Sequence, residues 1–439
     1  MDRPDRVPKE RYIDPDFYAM ECELLWPRVW QMACRLEEIP LAHDFVTYEF
    51  LDQSIVVVRS EDLGVRAFQN ACRHRGVKLV PPRGTCEHGF QCPFHGWRYG
   101  PDGTNVGVTA KRSFAEGNLD PDDINLVPVR CEVWGGCAWI NLDPDAPPVR
   151  ACLEPAATIL DLWQVESMRV EQWYAARLPV NWKLGIEAFV EMYHVVQTHP
   201  QLNIPGMRYS YREGQPFEPS GFIDAEIQYL RIMSDGMDGM VHANDVLVAE
   251  GLRDIELPAD PKQAIATWNR TLNDAVMSWN RDRGADIPDL NDLDARGLND
   301  TFYQCFPHYF VLPMYSGASS YRFRPLGPEE TLMEIWSLAR FPKGQEPTTP
   351  TRPEPWDPDD PRWPPIPAQD FSNLPKQQLG LHAKGFEYMR LSSGLEGHIS
   401  NLQRTIDGFL AGLPYERLLP ALQLVNTSPF DKPIVDLGF

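Results

Sequence analysis

The sequence predicts an α+β protein in two parts: an all-β unit, then a larger unit whose helices cover an antiparallel sheet. Three observations predict it. Short β-branched runs dominate from residue 44 to about 142. The segment Asp143-Pro-Asp-Ala-Pro-Pro148 then interrupts every periodicity. Beyond it, helical stretches stand beside the strand-like alternation of 302–313, 319–325 and 331–341. With 439 residues the chain can bury two separate cores.

Taken in order, residues 12–36 read as helical, with Tyr18, Cys22, Leu25 and Val29 on one apolar face. Residues 54–59 and 65–68, joined through Asp62-Leu-Gly64, form a hairpin signal, and 134–142 reads as the closing strand. The expected division is an N-terminal helical segment 1–37 that packs with the larger unit, an all-β unit 38–150, and the larger unit 151–439. In the latter, 171–180 is a strand that leads into a helix, and 274–281 belongs to another helix. The ten prolines of 342–367 predict an extended surface excursion. Residues 397–410 close the chain as a helix, followed by an irregular tail. No internal repeat is evident.

Hydrophobic content of 43% and aromatic content of 11% suit a soluble globular enzyme. No apolar run approaches the roughly 20 residues needed to span a bilayer, and Met1-Asp-Arg-Pro-Asp-Arg lacks the apolar core of a secretory signal. The expected location is therefore the cytoplasm. A net charge of −21 argues against nucleic acid or an anionic membrane as partner. The nine cysteines are too scattered for a disulfide framework. Between Cys72 and Arg112 the charge balance reverses: Arg73, Arg75, Lys78, Arg83, Arg98, Lys111 and Arg112 face only Glu87 and Asp102. That patch reads either as a solvated loop face or as a docking surface for an acidic electron donor.

Two short motifs carry chemistry. Cys72-Arg73-His74 is followed, seventeen residues later, by Cys92-Pro93-Phe94-His95. Each half supplies one thiolate and one imidazole, the ligand set of an asymmetric [2Fe–2S] cluster of Rieske type. Zinc accepts the same four ligands and is the rival reading. Zinc motifs more often repeat one ligand type within a loop, so the pattern favours iron. Cys86 lies between the two motifs without a spaced partner and is not assigned as a ligand.

Asn70-Ala-Cys-Arg-His-Arg-Gly76 and Cys92-Pro-Phe-His-Gly-Trp97 resemble the α (catalytic) subunit of the Rieske non-haem iron aromatic-ring-hydroxylating oxygenases. The resemblance continues from Asn181-Trp182-Lys183 to His199 and, more weakly, around Asp370. It implies that 38–150 is an all-β Rieske [2Fe–2S] domain and 151–439 a catalytic mononuclear iron domain. It also implies electrons passing from the cluster to an Fe(II) that activates O₂. Respiratory-type Rieske proteins carry an extra cysteine in each ligand loop. That arrangement is missing here, which points to the low end of the range of about −150 to +300 mV.

The second metal motif is Glu191-Met-Tyr-His194-Val-Val-Gln-Thr-His199. On a helix, Glu191 and His194 lie about 60° apart, whereas His199 sits about 140° from His194. Both histidines can meet one metal only if the helix deforms or ends between them. Pro200 supplies a cause, because the residue before proline avoids helical backbone. A facial triad needs a carboxylate as its third ligand. The resemblance assigns this to Asp370 in Gln369-Asp-Phe-Ser-Asn373, ahead of Asp357, Asp359 and Asp360.

Glu191 occupies the position where the family usually holds an aspartate that bridges the two metal sites between neighbouring subunits. The resemblance makes His95 and His194 its partners, with the extra methylene altering its reach. Glu187, Phe189, Gln197, Leu202, His308, Phe310 and Ile366 are candidates for the substrate pocket, chosen for their proximity to the motifs in sequence.

The implied activity is hydroxylation, as cis-dihydroxylation, of an aromatic or other lipophilic small molecule. Electrons would come from NAD(P)H through a separate reductase, a ferredoxin, or both. A head-to-tail ring, a homotrimer, is implied, and a β subunit is compatible with the sequence. A monooxygenase or N-/O-demethylase on the same scaffold is the alternative. A Rieske electron carrier without a second metal is a more distant one, which the His194/His199 motif argues against.

Overall fold

The chain divides into two units, Met20–Cys152 and a second built from Met1–Ala19 with Leu153–Phe439. The structure, a computed structural model, describes residues 1, 3–208, 216–237, 239–299, 302–428 and 432–439.

In the first unit, the β-branched run becomes the strand Gln53–Arg59, whose Ile55, Val56, Val57 and Val58 are wholly buried. It pairs with Val65–Gln69 as the hairpin signal predicts. Seven strands form one antiparallel sheet in the order Gln31–Arg35, Cys137–Asn141, Pro128–Trp134, Val65–Gln69, Gln53–Arg59, Asp44–Phe50, Arg83–Thr85. A separate three-stranded sheet, Phe90–Gln91, Arg98–Tyr99 and Asn105–Gly107, carries the second motif loop.

Two sequence expectations change here. Residues 134–142 are not one strand: Gly135 (φ 62°) and Gly136 (φ 73°) make a two-residue turn, so Trp134 pairs with Cys137 across a hairpin. Nor does the first helix reach residue 36. Glu10–Ile13 and Pro15–Met20 are followed by a wider π-helical turn, Glu21–Leu25, and a tight 3₁₀ turn, Trp26–Arg28, and Gln31–Arg35 is a strand beside Cys137–Asn141. Pro27 interrupts the ladder, and every residue of Gln31–Arg35 is buried, so packing overrides helical periodicity. The chain therefore divides at 19/20 and 152/153, where the sequence suggests 37/38 and 150/151.

The second unit holds a six-stranded sheet in the order Tyr303–Cys305, Tyr309–Met314, Gly317–Gly327, Glu330–Ala339, Arg169–Leu178, Glu354–Pro355. All neighbours are antiparallel except the last pair. The helix Trp182–Glu187 follows the strand Arg169–Leu178 and is buried along its whole length. Asn181 starts it: its Oδ1 accepts the Lys183 N–H at 3.0 Å, and its Nδ2 donates to Pro328 O at 2.7 Å. Gly185 lets this helix lie on the sheet, because a Cβ there would stand 2.7 Å from the Phe323 ring. Longer helices, Pro219–Gly236, Pro261–Asp282 and Gly397–Leu410, complete the covering.

The proline-rich stretch is largely exposed as far as Pro364, with Trp356 and Trp363 tucked in. It ends sooner than expected, since Pro365–Leu381 is a helix. Prolines are tolerated in a first turn, where no N–H is needed. The tail is not irregular throughout either. Tyr415–Val425 is a helix with Leu418, Ala421, Leu422 and Val425 buried; Pro414 and Pro420 disguise it in the sequence. Among the described residues no helix is long and apolar enough to cross a membrane.

Two candidate metal centres

The first motif pair occupies two loops that close in the same way. The Cys72 N–H donates to Val77 O at 2.9 Å and the Gly76 N–H to Cys72 O at 2.8 Å. In the second loop, the Cys92 N–H donates to Trp97 O at 2.8 Å and the Gly96 N–H to Cys92 O at 3.0 Å. Gly76 (φ 75°) and Gly96 (φ 72°) adopt the left-handed backbone that each turn requires. Both thiols are buried, and the rings of His74 and His95 meet edge to face with centroids 4.7 Å apart. His74 stacks on Trp97 at 5.1 Å.

The Nδ1 atoms of His74 and His95 are buried and have no hydrogen-bond partner in the protein. Buried polar atoms are normally paired, so two orphaned ring nitrogens beside two thiols form a ligand set. A single zinc would draw three or more of its ligand atoms into one tight group. Among the described residues such a convergence, within 4.8 Å, is found at His194, His199 and Asp370. Two thiols and two ring nitrogens are the donor set of a Rieske [2Fe–2S] cluster.

Burial raises the pKa of Cys72. At Cys92 burial is outweighed by the amides of Phe94 and His95 and by Cys72, and the pKa falls. Tyr99, unassigned from the sequence, accepts the Arg73 N–H at 3.0 Å and lies 3.3 Å from Cys72 Sγ. Once Cys72 is a thiolate, the Tyr99 O–H is the donor in this contact. Cys86 donates to His43 O, and burial lifts its pKa to about 11, as for an inert thiol. None of the nine cysteines is joined in a disulfide. Part of the basic patch is neutralised, since Arg73 pairs with Asp123 and Lys78 with Glu49.

At the second centre the expected helix through Glu191 and His194 is absent. The helix ends at Glu187, residues 188–194 form turns, and a short helix covers Val195–Thr198. His199 leaves it with φ −119° and ψ 60°, as Pro200 requires. The break brings both imidazoles to Asp370: its Oδ1 lies 3.2 Å from His199 Nε2 and 3.8 Å from His194 Nε2. The remaining ring nitrogens are held from behind. His194 Nδ1 lies 2.6 Å from Glu191 Oε1, and His199 Nδ1 lies 2.7 Å from Gln369 Oε1. Gln369 is itself locked to Gln201 by reciprocal amide hydrogen bonds of 2.8 and 3.2 Å. Each imidazole thus keeps its Nε2 lone pair for a metal. Burial opposes charge on His194, yet Glu191 and Asp370 overcome it and raise its pKa. The group is anionic and suited to a cation.

A cavity of about 350 Å³ opens beside this triad. Glu187, Glu191, His194 and Asp370 line it, together with Arg390 and Glu396 and the apolar Leu374, Phe386, Met389 and Ile399. Burial, reinforced by the charge of Glu191, raises the pKa of Glu396. Of the seven pocket candidates, Glu187 stands on this wall. Phe189 packs on Phe310, Tyr321 and Phe323, with centroids 4.7–5.7 Å apart. Ile366 is buried against Gly236 and Leu202 is half-buried, whereas Gln197 is exposed. His308 is wholly buried. Burial, with Arg322 and Arg324 nearby, holds its pKa well below the usual value, which fits packing. Sequence proximity cannot distinguish wall from core. Gln369 and Gln201 gave no advance signal beyond Gln369 preceding Asp370.

Residues 165–412 match the family model of the ring hydroxylating alpha subunit (catalytic domain), more than half of the chain. The chain belongs to this family. Its residues 29–122 match the Rieske [2Fe-2S] domain. Its cofactors are accordingly a [2Fe–2S] cluster and a mononuclear iron, and both candidate donor sets fit them.

Among its relatives is the carnitine monooxygenase oxygenase subunit of Escherichia coli (strain K12), 33% identical over 196 residues, 44% of this chain and 52% of the relative. Another is the 2-aminobenzenesulfonate 2,3-dioxygenase subunit alpha of Alcaligenes sp, 33% identical over 188 residues, 42% of this chain and 47% of the relative. These matches span about half the length of those curated relatives. A solved quaternary ammonium Rieske monooxygenase shares the fold, with a TM-score of 0.60 at 16% identity over 93% of this chain and 97% of its own.

Proposed function

We propose that this α subunit is a Rieske-type oxygenase that hydroxylates a small organic molecule with O₂. The favoured reaction is cis-dihydroxylation of an aromatic or other lipophilic substrate. The observation that carries this reading is the convergence of His194, His199 and Asp370, of which His194 and Asp370 line a cavity. Two imidazoles and one carboxylate leave coordination positions open, which is the arrangement of non-haem iron oxygenases. Bound iron supplies the reductive activation of O₂. The chain's own residues orient the ligands: Glu191 and Gln369 fix the ring tautomers, and the apolar side chains of the cavity exclude water.

Cys72, His74, Cys92 and His95 hold the cluster in this reading, and Glu191 couples the two centres between neighbouring subunits of a homotrimer. Electrons come from a ferredoxin, an NAD(P)H-dependent reductase, or both. Inter-subunit electron transfer is described for the solved quaternary ammonium monooxygenase, and this supports a head-to-tail ring. Turnover with ¹⁸O₂ tests the chemistry, because cis-dihydroxylation places two labelled oxygens in the product. Incorporation of a single label would favour monooxygenation instead, a second reading supported by the 33% identity to a carnitine monooxygenase subunit. The ring is tested by mixing a Cys92→Ser subunit with an Asp370→Ala subunit, which should restore activity that neither has alone.

A further inference from the structure

Glu187 stands on the cavity wall with Glu191, His194 and Asp370, yet the metal ligands do not need it. Burying a carboxyl is costly, and its surroundings show a directional arrangement. Arg11 Nε, which can only donate, lies 2.6 Å from Gln403 Oε1. The Gln403 amide is thereby fixed with Nε2 toward Glu187 Oε1, at 2.6 Å, and toward Tyr12 Oη, at 3.0 Å. Tyr12 accepts from Gln403 and so donates its own proton to Glu187, at 2.8 and 3.0 Å from the two carboxyl oxygens. Both partners donate to Glu187. A proton carried by Glu187 is therefore favoured on the side away from these donors, where the carboxyl lines the cavity.

We infer that Glu187 delivers a proton through cavity water to dioxygen as it is reduced beside His194, His199 and Asp370. This rests on the oxygenase reading above. Hydroxylation is RH + O₂ + 2e⁻ + 2H⁺ → ROH + H₂O, with the O–O bond broken. Cis-dihydroxylation consumes the same electrons and protons and leaves both oxygens on the ring. The reduced ferredoxin or reductase supplies the electrons. The carboxyl O–H bond breaks, an O–H bond forms on an oxygen from O₂, and the carboxylate left behind is held by Tyr12 and Gln403. It regains a proton from water entering the cavity.

The groups facing Glu187 are Tyr12 and, through Gln403, Arg11; Lys183 on its own helix; and Glu191, His194, Asp370, Glu396 and Arg390 around the cavity. Burial raises its pKa to about 7 against the opposing pull of Gln403, Tyr12, Lys183 and Arg11. A proton donor works best when its pKa is near the working pH.

Two measurements test the inference. Difference infrared spectra of the metal-free protein across neutral pH should show a protonated carboxyl band that is lost near pH 7 in the wild type and missing in Glu187→Gln. Absence of that band from the wild type would overturn the inference without any reference to turnover. The second uses dioxygen alone as probe: reduced holoenzyme is mixed with O₂, and reoxidation is followed against pH with Asp370→Ala as background. The wild-type rate should fall as pH rises through about 7. Glu187→Gln should lose roughly tenfold or more on the acid side and become flat, whereas Glu187→Asp should keep a pH limb. An unchanged rate and profile in Glu187→Gln, at equal iron and cluster content, would overturn the role. Equal rates in wild type and Asp370→Ala would overturn the oxygenase reading itself, and the inference with it.

Discussion

Glu191 grips His194 twice: one carboxylate oxygen accepts the His194 backbone N–H at 3.0 Å, and the other lies 2.6 Å from Nδ1. The same side chain therefore ends the turn and aims the ring. Glu191→Gln can keep one of these contacts but loses the charge. Its iron content should stay near the wild-type value while product formed per electron falls. Glu191→Ala removes both contacts and should weaken iron binding by about 10–100-fold. Metal analysis beside product yield separates the effects, and normal yield in Glu191→Gln would refute a coupling role.

Gln369 performs the matching task for His199, and its amide is fixed in turn by Gln201. Gln369→Ala leaves the His199 ring free to rotate. Iron affinity should drop about 10–100-fold, with the cluster's visible spectrum unchanged. Gln201→Ala should do the same more weakly, since it acts through Gln369. Iron titration of the apoprotein reads both.

Burial of Glu187 should also appear in stability. Its folded pKa of about 7 lies above the ordinary 4.5, so the folded state holds a proton that the unfolded chain releases. The stabilisation is complete below about pH 4.5 and is lost as pH rises through about 7. The loss is on the order of 3 kcal/mol. Glu187→Gln has no proton to lose, so its stability relative to wild type should improve between pH 5 and pH 8.5 in denaturant unfolding. An equal difference at both pH values would contradict the assignment.

Gly185 is where the helix ahead of the metal ligands meets the sheet. Gly185→Ala would improve helix propensity, but its Cβ would meet the Phe323 ring at 2.7 Å. Overpacking of this kind costs about 1–3 kcal/mol, so the melting temperature should fall and iron binding weaken with it.

Much of this site was legible because its chemistry is local in sequence. The cluster ligands are contained in two loops of a few residues each, and Pro200 announced that His199 leaves the helix. What lay hidden depends on packing between distant segments. Gln31–Arg35 resembled part of a helix until its burial beside Cys137–Asn141 decided otherwise. Trp134–Leu142 reads as one strand only if Gly135-Gly136, itself a hairpin-turn signal, is passed over; both glycines have positive φ. Helix Tyr415–Val425 was masked by Pro420, which the fold tolerates. The Tyr12–Glu187–Gln403 group joins three remote segments and carries no local signature.

The two ligand sets also differ in how far apart they lie along the chain. Every proposed cluster ligand has left the ribosome once His95 emerges, whereas the proposed iron triad stays incomplete until Asp370 follows. A chain cut after Cys152, where the first unit ends, would thus keep all four proposed cluster ligands and lose the whole triad.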